Sequence, residues 1–469
     1  MAESWATLGV DLHLEPTGSG GLRRGLTDAL RDAVRSGRLA PGTRLPSSRS
    51  LAADLGIARN TVAEAYADLV AEGWLTARQG SGTRVAPGTR TPSAPARPAG
   101  ATPATSHRAP TRPLHDLAPG IPDLASFPRT EWLKATRRAL ATAPFHALGY
   151  GDPRGRPELR TALAGYLARA RGVRTDPDAI LVTAGFSHAL TLLGTVLRAR
   201  GVRTVAVESY GLDVHWALLR GAGMATPALP YDALGTDPVV PQTAGAVLLT
   251  PAHQFPMGTA LHPDRRAAVV AWARRTGGLV LEDDYDGEFR YDRQPVGALQ
   301  GLAPDQVVYL GTASKSLAPG LRLGWMVLPP ALAAEVARAK GQADSVGVLE
   351  QLTLAEFLTS GAYDRHVRSS RLRYRRRRDA LATAVTERAP EVEVTGIAAG
   401  LHAVLRLPPG TEESVVQAAA WQGLALHGLT YHRHPEAVTE HLDALVVGYG
   451  TPPDSAWAGA LEALCRVLP

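Results

Sequence analysis

Hydrophobic and polar residues in the N-terminal part of the chain follow helical and then alternating patterns. Apolar residues recur every three or four positions in GLRRGLTDALRDAVRSGRL and in IARNTVAEAYADLVAEGWL, which predicts two amphipathic helices. Between them, SSRSLAADLG begins with serines suited to N-capping and ends at Gly56, a typical C-cap. GWLTARQGSGTRVA then alternates and turns at Gly80 and Gly82, which predicts a hairpin. In the first of these helices the apolar residues at helical spacing are Leu22, Leu26, Leu30 and Val34, and in the second we predict that Val62, Tyr66, Leu69 and Val70 face inward. Three helices followed by a hairpin describe a winged helix-turn-helix.

From residue 114 onward, short apolar runs alternate with helical patterns. The candidate buried strands are AILVTAG, RTVAVESY, GAVLLTP, GGLVLEDDYD, QVVYLGTAS and LGWMVLP. Helical stretches such as SHALTLLGTVLRAR and HPDRRAAVVAWARRTG lie between some of them. This alternation predicts an α/β domain with a mostly parallel sheet covered by helices. Ligands of such sheets gather at the carboxyl ends of the strands, where the polar motifs of this chain also lie.

A segment rich in proline, alanine and threonine separates the two patterns. Residues 86–113 contain no acidic residue and almost no large apolar side chain. Such a segment cannot bury enough apolar surface to offset the entropy of ordering it, and its prolines favour extended conformations. We therefore predict a winged helix at residues 12–85, a linker at 86–113 and an α/β domain with a smaller C-terminal lobe at 114–469.

Composition limits the class of protein. Of the 469 residues, 45% are hydrophobic and 20% are charged, which is ordinary for a globular protein. No apolar run is long enough to predict a membrane span, and the N-terminus lacks the pattern of a secretory signal. The single cysteine, Cys465, excludes an internal disulfide and a multi-cysteine metal site, so we expect a cytoplasmic protein. A net charge of +6 permits an anionic partner without proving one.

Lysine is rare in this chain, and one of its three lysines follows a predicted strand. Lys315 ends QVVYLGTASK, where a lysine could pair with an acid, bind a phosphate or form an imine with an aldehyde. LEDDYDGEF ends another strand and places Asp283 and Tyr285 on one face, with Glu282 and Asp284 on the other. An acid and a phenol converging on a lysine suit pyridoxal 5'-phosphate (PLP). The acid keeps the pyridine nitrogen protonated, the phenol bonds the ring hydroxyl and the lysine forms a Schiff base.

Other residues at strand ends suit the phosphate of the same cofactor. Gly185, Phe186 and Ser187 lie at a predicted strand-to-helix junction, where backbone N–H groups can bind phosphate. Thr312 and Ser314 add hydroxyl groups, and Arg322 adds a cation. The candidate phosphate-binding residues are Gly185, Phe186, Ser187, Thr312, Ser314 and Arg322.

The N-terminal motifs resemble the GntR-type DNA-binding domain over roughly residues 15 to 85. The resemblance rests on the ordered elements G-L-P-G-RLPS-R-LA-LG-R-TV-AY-L-EGWL-GSGT. It implies that the helix opening at ARNT enters the major groove of operator DNA and that the wing tip approaches the minor groove. The residues implicated are Arg59, Asn60 and Thr61 for base edges, Arg44 and Arg49 for phosphate or groove contacts, and Gln79 and Gly80 for the wing tip. A winged helix that serves protein contacts, and arginines that are merely solvated, are the alternatives.

The C-terminal motifs resemble fold-type I aminotransferases, and the two domains together resemble the MocR family of regulators. The motifs are SK-LAPGLRLGW, TP-HQFP-G and LEDDYD-EFRY. The resemblance implies that Lys315 is the Schiff-base lysine, with Asp283 and Tyr285 as partners of the pyridine nitrogen and the ring hydroxyl. It places Thr312, Ser314 and Arg322 in the phosphate cup, and Gln254, or Phe255 if the register differs by one, near the ring edge. It also implies a homodimer in which each winged helix lies across on the partner, with Tyr150 reaching the neighbouring phosphate.

Four positions depart from the family pattern. Ser187 and His188 in AGFSHAL replace amides, and Leu212 stands where a tyrosine stacks on the cofactor ring. Tyr210 or His215 could take the place of that tyrosine. Val446 in ALVVGYG stands where aminotransferases carry the arginine for the substrate carboxylate. Its absence argues against an α-amino acid as the natural ligand and against net transamination, which needs a fixed carboxylate.

Several residues have plain structural alternatives. Asp283 could be a cap, and Arg322 could pair with a nearby acid. RHVRSSRLRYRRRRDAL is the most basic stretch, and its helical spacing predicts a solvated face of the small lobe or, alternatively, an auxiliary DNA contact. His253 and His402 resemble family positions but could be purely structural.

These observations predict a PLP-dependent, DNA-binding transcriptional regulator whose aminotransferase-like domain senses the cofactor or an amine effector. PLP itself could be that effector, as in regulators of vitamin B6 synthesis. One alternative is an active aminotransferase with a DNA-binding appendage. Another is a scaffold that no longer binds cofactor.

Overall fold

The computed structural model describes residues 21–78, 82–87, 113–291, 296–341 and 346–469. The chain divides into two compact units, residues 1–110 and residues 111–469. The boundary falls within the segment predicted to be a linker, most of which lies outside the described residues. Gln79 and Gly80 at the predicted wing tip lie outside them as well.

The first unit contains the three helices and the hairpin that its sequence predicts. They are α1 (Leu22–Arg35), α2 (Ser48–Leu55), α3 (Arg59–Ala71), β1 (Leu75–Arg78) and β2 (Gly82–Val85). The Ser47 hydroxyl caps α2 by accepting a hydrogen bond from the Ser50 N–H, and Gly56 ends the helix with a left-handed φ of 64°. The two strands pair antiparallel, with Leu75 opposite Val85.

The helices of this unit pack around an aliphatic core. Leu26, Leu30, Val34, Val62, Tyr66 and Leu69 are buried, as their spacing predicts. The prediction for Val70 was wrong, because this residue is 36% exposed, and Leu22 is 52% exposed although it belongs to the apolar spacing of α1. Leu22 is the first residue of α1, and Val70 lies at the edge of the narrow face centred on Val62 and Leu69.

Ion pairs tie α1 to α3 on the surface of this unit. Arg23 pairs with Asp68 at 2.7 Å and Arg31 pairs with Glu72 at 2.9 Å. Exposed pairs of this kind contribute little stability. They pair acids in the C-terminal half of α3 with arginines of α1, and the first turn of α3, which begins at Arg59, contains no acidic residue.

The second unit alternates strands with helices along most of its length. Its helices are α4 (Arg129–Thr142), α5 (Pro157–Arg171), α6 (Phe186–Ala199), α7 (Asp213–Gly221), α8 (Pro263–Thr276), α9 (Pro330–Lys340), α10 (Val348–Thr359), α11 (Ala362–Arg388), α12 (Glu412–Trp421) and α13 (Asp454–Val467). Its strands are β3 (His115–Asp116), β4 (Ile180–Thr183), β5 (Val205–Glu208), β6 (Ala228–Leu229), β7 (Tyr231–Asp232), β8 (Gly235–Thr236), β9 (Ala246–Leu249), β10 (Leu279–Asp283), β11 (Val307–Thr312), β12 (Gly324–Val327), β13 (Glu393–Thr395), β14 (Ala403–Arg406), β15 (Leu424–Ala425), β16 (His427–Gly428) and β17 (Ala444–Val447).

Seven strands form one central sheet in the order β4-β12-β11-β10-β9-β5-β6. All six sequence-predicted strands are in it, and neighbours run parallel except at β12, which is antiparallel to β11 and β4. Strands β4, β5, β9 and β11 are buried at every residue, because helices cover both faces of the sheet. The predicted α/β class with a mostly parallel sheet is confirmed.

The small lobe, residues 362–469, follows the central sheet in the chain. Its antiparallel sheet has the order β13-β14-β17-β16, and α11 and α13 contribute to the core beneath it. In β17, Val446 lies opposite Val404 of β14 and His427 of β16.

The most basic stretch of the sequence lies in α11, as predicted. Arg365, Arg368, Arg375 and Arg376 are exposed on this helix, whereas Arg377 is buried. The Arg377 guanidinium donates to Asp123 at 3.1 Å and to backbone carbonyls, so it is structural. Among the described residues, no helix is long and apolar enough to cross a membrane.

Candidate functional site

A cavity of about 360 Å³ opens at the carboxyl ends of the central strands. Residues that follow β4, β10 and β11 line one side of it, and loops of the small lobe line the other. The lining includes Phe186, Ser187, Glu208, Leu212, His215, Phe255, Asp283, Tyr285, Thr312, Ser314, Lys315, Arg322, His402, His427, Tyr431 and His432. Parallel strands meet at one edge of a sheet, which is why residues distant in the chain converge here.

Lys315 lies three residues after β11 and extends into the cavity. Its Nζ donates a hydrogen bond to the Gly120 carbonyl. Burial lowers the pKa of Lys315, and the carboxylates of Asp283 and Asp286 oppose that shift. A lysine with a lowered pKa is more often the free amine, which is the nucleophilic form.

The segment that carries Lys315 is tied to helix α11. The Ser316 hydroxyl accepts a hydrogen bond from the Tyr363 hydroxyl at 2.8 Å, and the Ser316 carbonyl lies 2.8 Å from Nε2 of His366. The Tyr363 hydroxyl also lies 3.0 Å from the Glu288 carboxylate. These contacts fix the position of the lysine backbone relative to the start of the small lobe.

Asp283 ends β10 beneath the cavity and is 6% exposed. Burial raises its pKa well above the usual carboxyl range, and the nearby Lys315 opposes the shift. Among the described residues, its buried Oδ1 has no hydrogen-bond partner. A buried carboxylate oxygen without a partner is costly unless a ligand donates to it, so this atom fits a protonated ring nitrogen.

Tyr285 lies on the same side as Asp283, as strand alternation predicts. Its hydroxyl is 3.0 Å from Nδ1 of His253, which is 2.8 Å from the Asp286 carboxylate. Burial raises the pKa of Tyr285, so the phenol keeps its proton at neutral pH. His253 thus has a positioning contact with Tyr285 and does not line the cavity itself.

Glu282 and Asp284, the acids on the other face of β10 and the segment that follows it, point away from the cavity. Asp284 forms a buried ion pair with Arg171 at 2.6 Å and accepts a hydrogen bond from Tyr309 at 2.7 Å. Glu282 accepts the backbone N–H groups of Leu299 and Gln300. Both acids are committed to structure, which leaves Asp283 as the acid that this strand presents to a ligand.

The predicted phosphate residues gather at the start of α6 and beside β11. Gly185 precedes α6 with a φ of 84°, and a β-carbon there would lie 3.3 Å from the Arg322 guanidinium. Arg322 donates to the Ala184 carbonyl at 2.6 Å, and the hydroxyls of Thr312 and Ser314 are 2.8 Å apart. A helix N-terminus, a guanidinium and two hydroxyls form a cradle suited to phosphate.

At one predicted site position, the neighbouring residue lines the cavity instead of the predicted one. Gln254 points away from the cavity, because its amide donates to the Thr236 hydroxyl at 2.7 Å. Phe255, the alternative register, lines the cavity instead. The two readings differ by one residue in an irregular segment, where no strand or helix period decides which side chain turns inward.

Both candidates for the stacking residue, Tyr210 and His215, line the cavity, as does Leu212. The His215 ring packs against Phe186 with centroids 4.4 Å apart, and burial lowers its pKa to about 3. Tyr210 is buried, and its ring packs on Tyr231, so only part of it reaches the cavity.

Val446 lies in the small-lobe core and does not line the cavity. The small lobe instead presents a histidine wall, which comprises His402, His427, Tyr431 and His432. Of these, the sequence reasoning noted only His402. The run HGLTYHRH, with three histidines in eight residues, was a signal for the others.

Glu208, at the end of β5, is another cavity residue that sequence reasoning missed. It is buried and accepts hydrogen bonds from the Thr236 and Thr250 hydroxyls and from the Thr250 N–H. Burial raises its pKa to about 7. Three hydrogen bonds from protein groups thus hold this carboxylate at the cavity lining.

Tyr150 is not in the cavity and is 96% exposed. Other large apolar side chains close to it in the chain are also exposed, including Phe145 at 98% and Leu148 at 61%. Exposed aromatic and aliphatic groups in this number are typical of an interface.

The predicted DNA-contacting residues lie in the first unit. Arg59 and Asn60 are exposed in the first turn of α3, and Thr61 is half-buried beside them. Arg49 of α2 is exposed as well. Arg44 is exposed and its guanidinium lies against β2, because a β-carbon on Gly82 would be 3.2 Å from its Nε.

Comparison with known proteins places both units in families. Residues 22–85 match the gntR family of bacterial regulatory proteins, and residues 113–437 match aminotransferase class I and II. Class I and II aminotransferases depend on PLP. The chain is similar in fold to a kynurenine aminotransferase from Pyrococcus horikoshii whose crystal structure contains PMP, the amine form of the cofactor. The TM-score is 0.67 at 25% identity, over 76% of this chain and 91% of that one.

Relatives with both domains cover nearly the whole chain. The chain is 36% identical to the HTH-type pyridoxine biosynthesis transcriptional regulator PdxR of Corynebacterium glutamicum, over 87% of this chain and 88% of that protein. It is 31% identical to the probable rhizopine catabolism regulatory protein MocR of Rhizobium meliloti, over 88% of each. The chain belongs to the MocR family of HTH-type transcriptional regulators, in which a gntR-type winged helix precedes a fold-type I aminotransferase-like domain.

Proposed function

We propose that this regulator binds PLP covalently on Lys315 and that the state of this site controls binding of its winged helix to operator DNA. The observation that carries the proposal is the convergence of Lys315, Asp283, Tyr285 and Arg322 on one cavity. The partnerless Oδ1 of Asp283 supports it, because a bound ring nitrogen would satisfy that atom.

When bound, PLP supplies an aldehyde that bonds to the lysine amine and a phosphate that anchors the ring. Asp283 would hold a proton on the ring nitrogen, and Tyr285 would donate its phenol hydrogen to the ring oxygen. Arg322, with the start of α6, would hold the phosphate. Phe255 and His215 would exclude water from the two sides of the cavity that they line.

DNA binding is assigned to the first turn of α3. The N-terminal end of α3 carries Arg59, Asn60 and Thr61. In winged helices of this family, this helix enters the major groove. Arg44 and Arg49 would contact phosphates or the groove, and Gln79 and Gly80 would form the wing tip. An arginine in this position can bond a guanine bidentately.

We further propose that the protein acts as a homodimer. Phe145, Leu148 and Tyr150 expose large apolar surfaces next to one another in the chain, and a second copy would bury them. Tyr150 would then reach the phosphate cradle of the partner subunit. Two winged helices on two half-sites multiply weak contacts through effective concentration.

The effector is PLP itself or an amine that enters the same cavity. The similarity to a pyridoxine biosynthesis regulator supports PLP. Either ligand controls DNA binding only if it favours one arrangement of the winged helices over another. Net transamination is not proposed, because Arg322 is the only arginine or lysine besides Lys315 that lines the described cavity, and it lies at the phosphate end.

The test is an absorbance spectrum of the purified protein with added PLP, beside Lys315→Ala and Lys134→Ala variants. We expect a visible band in the wild type and in Lys134→Ala, because Lys134 is exposed and paired with Glu131. Borohydride reduction and peptide mapping should find the adduct on Lys315. A band of equal strength in Lys315→Ala, or none in the wild type, would overturn the cofactor proposal.

The alternative function, an active aminotransferase, is tested with the same PLP-loaded protein. Common amino acids are added to the loaded protein, and the band of the lysine-bound cofactor is followed against keto-acid production. We expect no sustained turnover. Multiple turnovers with any amino acid would establish the enzyme instead.

A further inference from the structure

The small-lobe side of the cavity is formed by the histidine wall. His427 stands on β16 directly across from Val446 on β17, and directly paired residues project to the same face of a sheet. An imidazole therefore lies beside the position at which the aminotransferase pattern has a guanidinium. The wall also includes His402, which precedes β14, and His432, which is 1% exposed.

Hydrogen bonds to the protein determine which ring nitrogens of the wall can accept. Nδ1 of His432 is 3.3 Å from the Gly211 carbonyl, and Nε2 of His402 is 2.9 Å from the Pro256 carbonyl. A carbonyl only accepts, so both of these nitrogens carry hydrogen, and the opposite nitrogen of each neutral ring is an acceptor. Nε2 of His432 is buried and has no partner among the described residues.

The wall carries no positive charge at neutral pH. Burial lowers the pKa of His432 to about 4 and that of His402 to about 3, and it also lowers the pKa of His427. His215 on the facing side is likewise neutral, with a pKa lowered to about 3. A carboxylate moved to this side of the cavity would lose its hydration without gaining a cation, which is unfavourable.

We propose that the histidine wall is a subsite for a neutral hydrogen-bond donor of the effector, a hydroxyl group, received by Nε2 of His432. The effector class is thus a primary amine with a hydroxyl group and without a carboxylate. This inference rests on the proposed function, because it assigns the ligand of the same cavity. It concerns a separate set of residues, and its test is separate from that of the cofactor.

The experiment is calorimetric titration of the full-length protein with four amines that share one three-carbon chain. They are 3-amino-1-propanol, 1,3-diaminopropane, β-alanine and propylamine, and each is titrated with and without added PLP. We expect the alcohol to bind more tightly than propylamine, which lacks the donor. We expect 1,3-diaminopropane and β-alanine to bind more weakly than propylamine, because each adds a charge that this side of the cavity leaves without a counter-ion. One hydrogen bond to an otherwise unpaired acceptor predicts a difference of about fivefold to tenfold.

Variants of His432 separate recognition from folding. His432→Phe keeps a ring but removes the acceptor, so the preference for the alcohol over propylamine should disappear. His432→Gln places an amide oxygen near the position of Nε2 and should retain the preference. His427→Arg supplies the missing cation and should make β-alanine the tightest of the four.

The outcomes of the two proposals are distinguishable. Loss of the visible PLP band in the wild type counts against the cofactor, whereas a donor preference that depends on His432 supports the wall with or without that band. Equal affinities for all four amines, tightest binding of β-alanine or of 1,3-diaminopropane by the wild type, or no binding at all overturns the subsite.

Discussion

Replacing Asp283 by asparagine should stabilise the protein without cofactor and reduce the stabilisation that the cofactor adds. Asp283 is 6% exposed, and its Oδ1 has no partner among the residues that the structure describes. When the Asp283 carboxyl is ionised, its Oδ1 therefore carries charge without a hydrogen bond from the described residues. Asparagine has nearly the same shape and no charge, so the substitution removes the cost of burying a charge and leaves the packing of β10 unchanged.

The size of the effect follows from the buried atom. An ionised carboxylate that is buried without hydrogen-bond partners costs at least about 1–3 kcal/mol, and asparagine avoids the cost of the charge, so the variant should gain about that free energy of unfolding near pH 8 without PLP. With PLP at a hundred times its Kd, the wild type gains about 2.7 kcal/mol from ligand binding. The variant should gain much less, because the ring nitrogen loses its anionic partner.

The gain in stability of Asp283→Asn over the wild type should increase with pH, because the pKa of Asp283 is raised in the folded protein. Burial raises the pKa of folded Asp283 well above the unfolded value of 3.8. A raised folded pKa gives stability that is full below the unfolded pKa and is lost as pH rises through the folded pKa. The wild type should therefore fall behind the asparagine variant from pH 5.5 to pH 8, while the two converge toward acid pH.

The assay is chemical denaturation at pH 5.5 and pH 8, with and without PLP, followed by tryptophan fluorescence. Asp305→Asn is the matched control, because Asp305 is exposed and far in sequence from the strand end. If Asp283→Asn is less stable than the wild type without PLP at pH 8, then Asp283 is a structural cap and the reasoning fails.

Three further substitutions test other parts of the molecule. Asp284→Ala leaves Arg171 as an unpaired buried cation and should lower the free energy of unfolding by about 3–5 kcal/mol, measured by denaturation. Arg59→Ala should weaken operator binding by about 1–3 kcal/mol with little change for unrelated DNA, measured by fluorescence anisotropy at fixed salt. Phe145→Asp places a charge in the proposed dimer interface and should shift the protein toward monomer in sedimentation velocity.

Each of these has a control on the same chain. Glu462→Ala removes an exposed ion pair with Arg388 and should leave stability unchanged, so an equal loss would contradict the burial argument. Arg35→Ala, exposed at the end of α1, should not alter sequence preference. Leu372→Asp, on the exposed face of α11, should leave the oligomeric state unchanged, and dissociation by both aspartates would point to general destabilisation.

Regular periodicity is where sequence reasoning succeeded. The alternation in β10 placed Asp283 and Tyr285 on one side and Asp284 on the other, and hydrogen bonding in the structure agrees. The serines and Gly56 that delimit α2 follow from capping rules that depend on a few adjacent residues. The error at Val70 lies at the edge of a helical face, where burial depends on how closely the neighbouring helix approaches.

Prediction from the sequence failed in irregular segments. Gln254 and Phe255 are adjacent, and the partner that turns Gln254 away is Thr236, eighteen residues earlier. The histidine wall comes from loops of the small lobe, and only the packing of that lobe on the cavity brings His427 and His432 near the strand ends. No local pattern carries that information.

The sequence by itself determined the two-domain order, the mostly parallel sheet, the lysine after its strand and the family, because these depend on local periodicity and on motifs read in order. The tertiary structure decided that Phe255 rather than Gln254 faces the cavity, that Oδ1 of Asp283 is left without a partner, and that neutral imidazoles lie beside Val446. The reason is physical: burial, tautomer and charge state depend on which distant groups surround a side chain, and those groups meet only when the strands and the small lobe pack together.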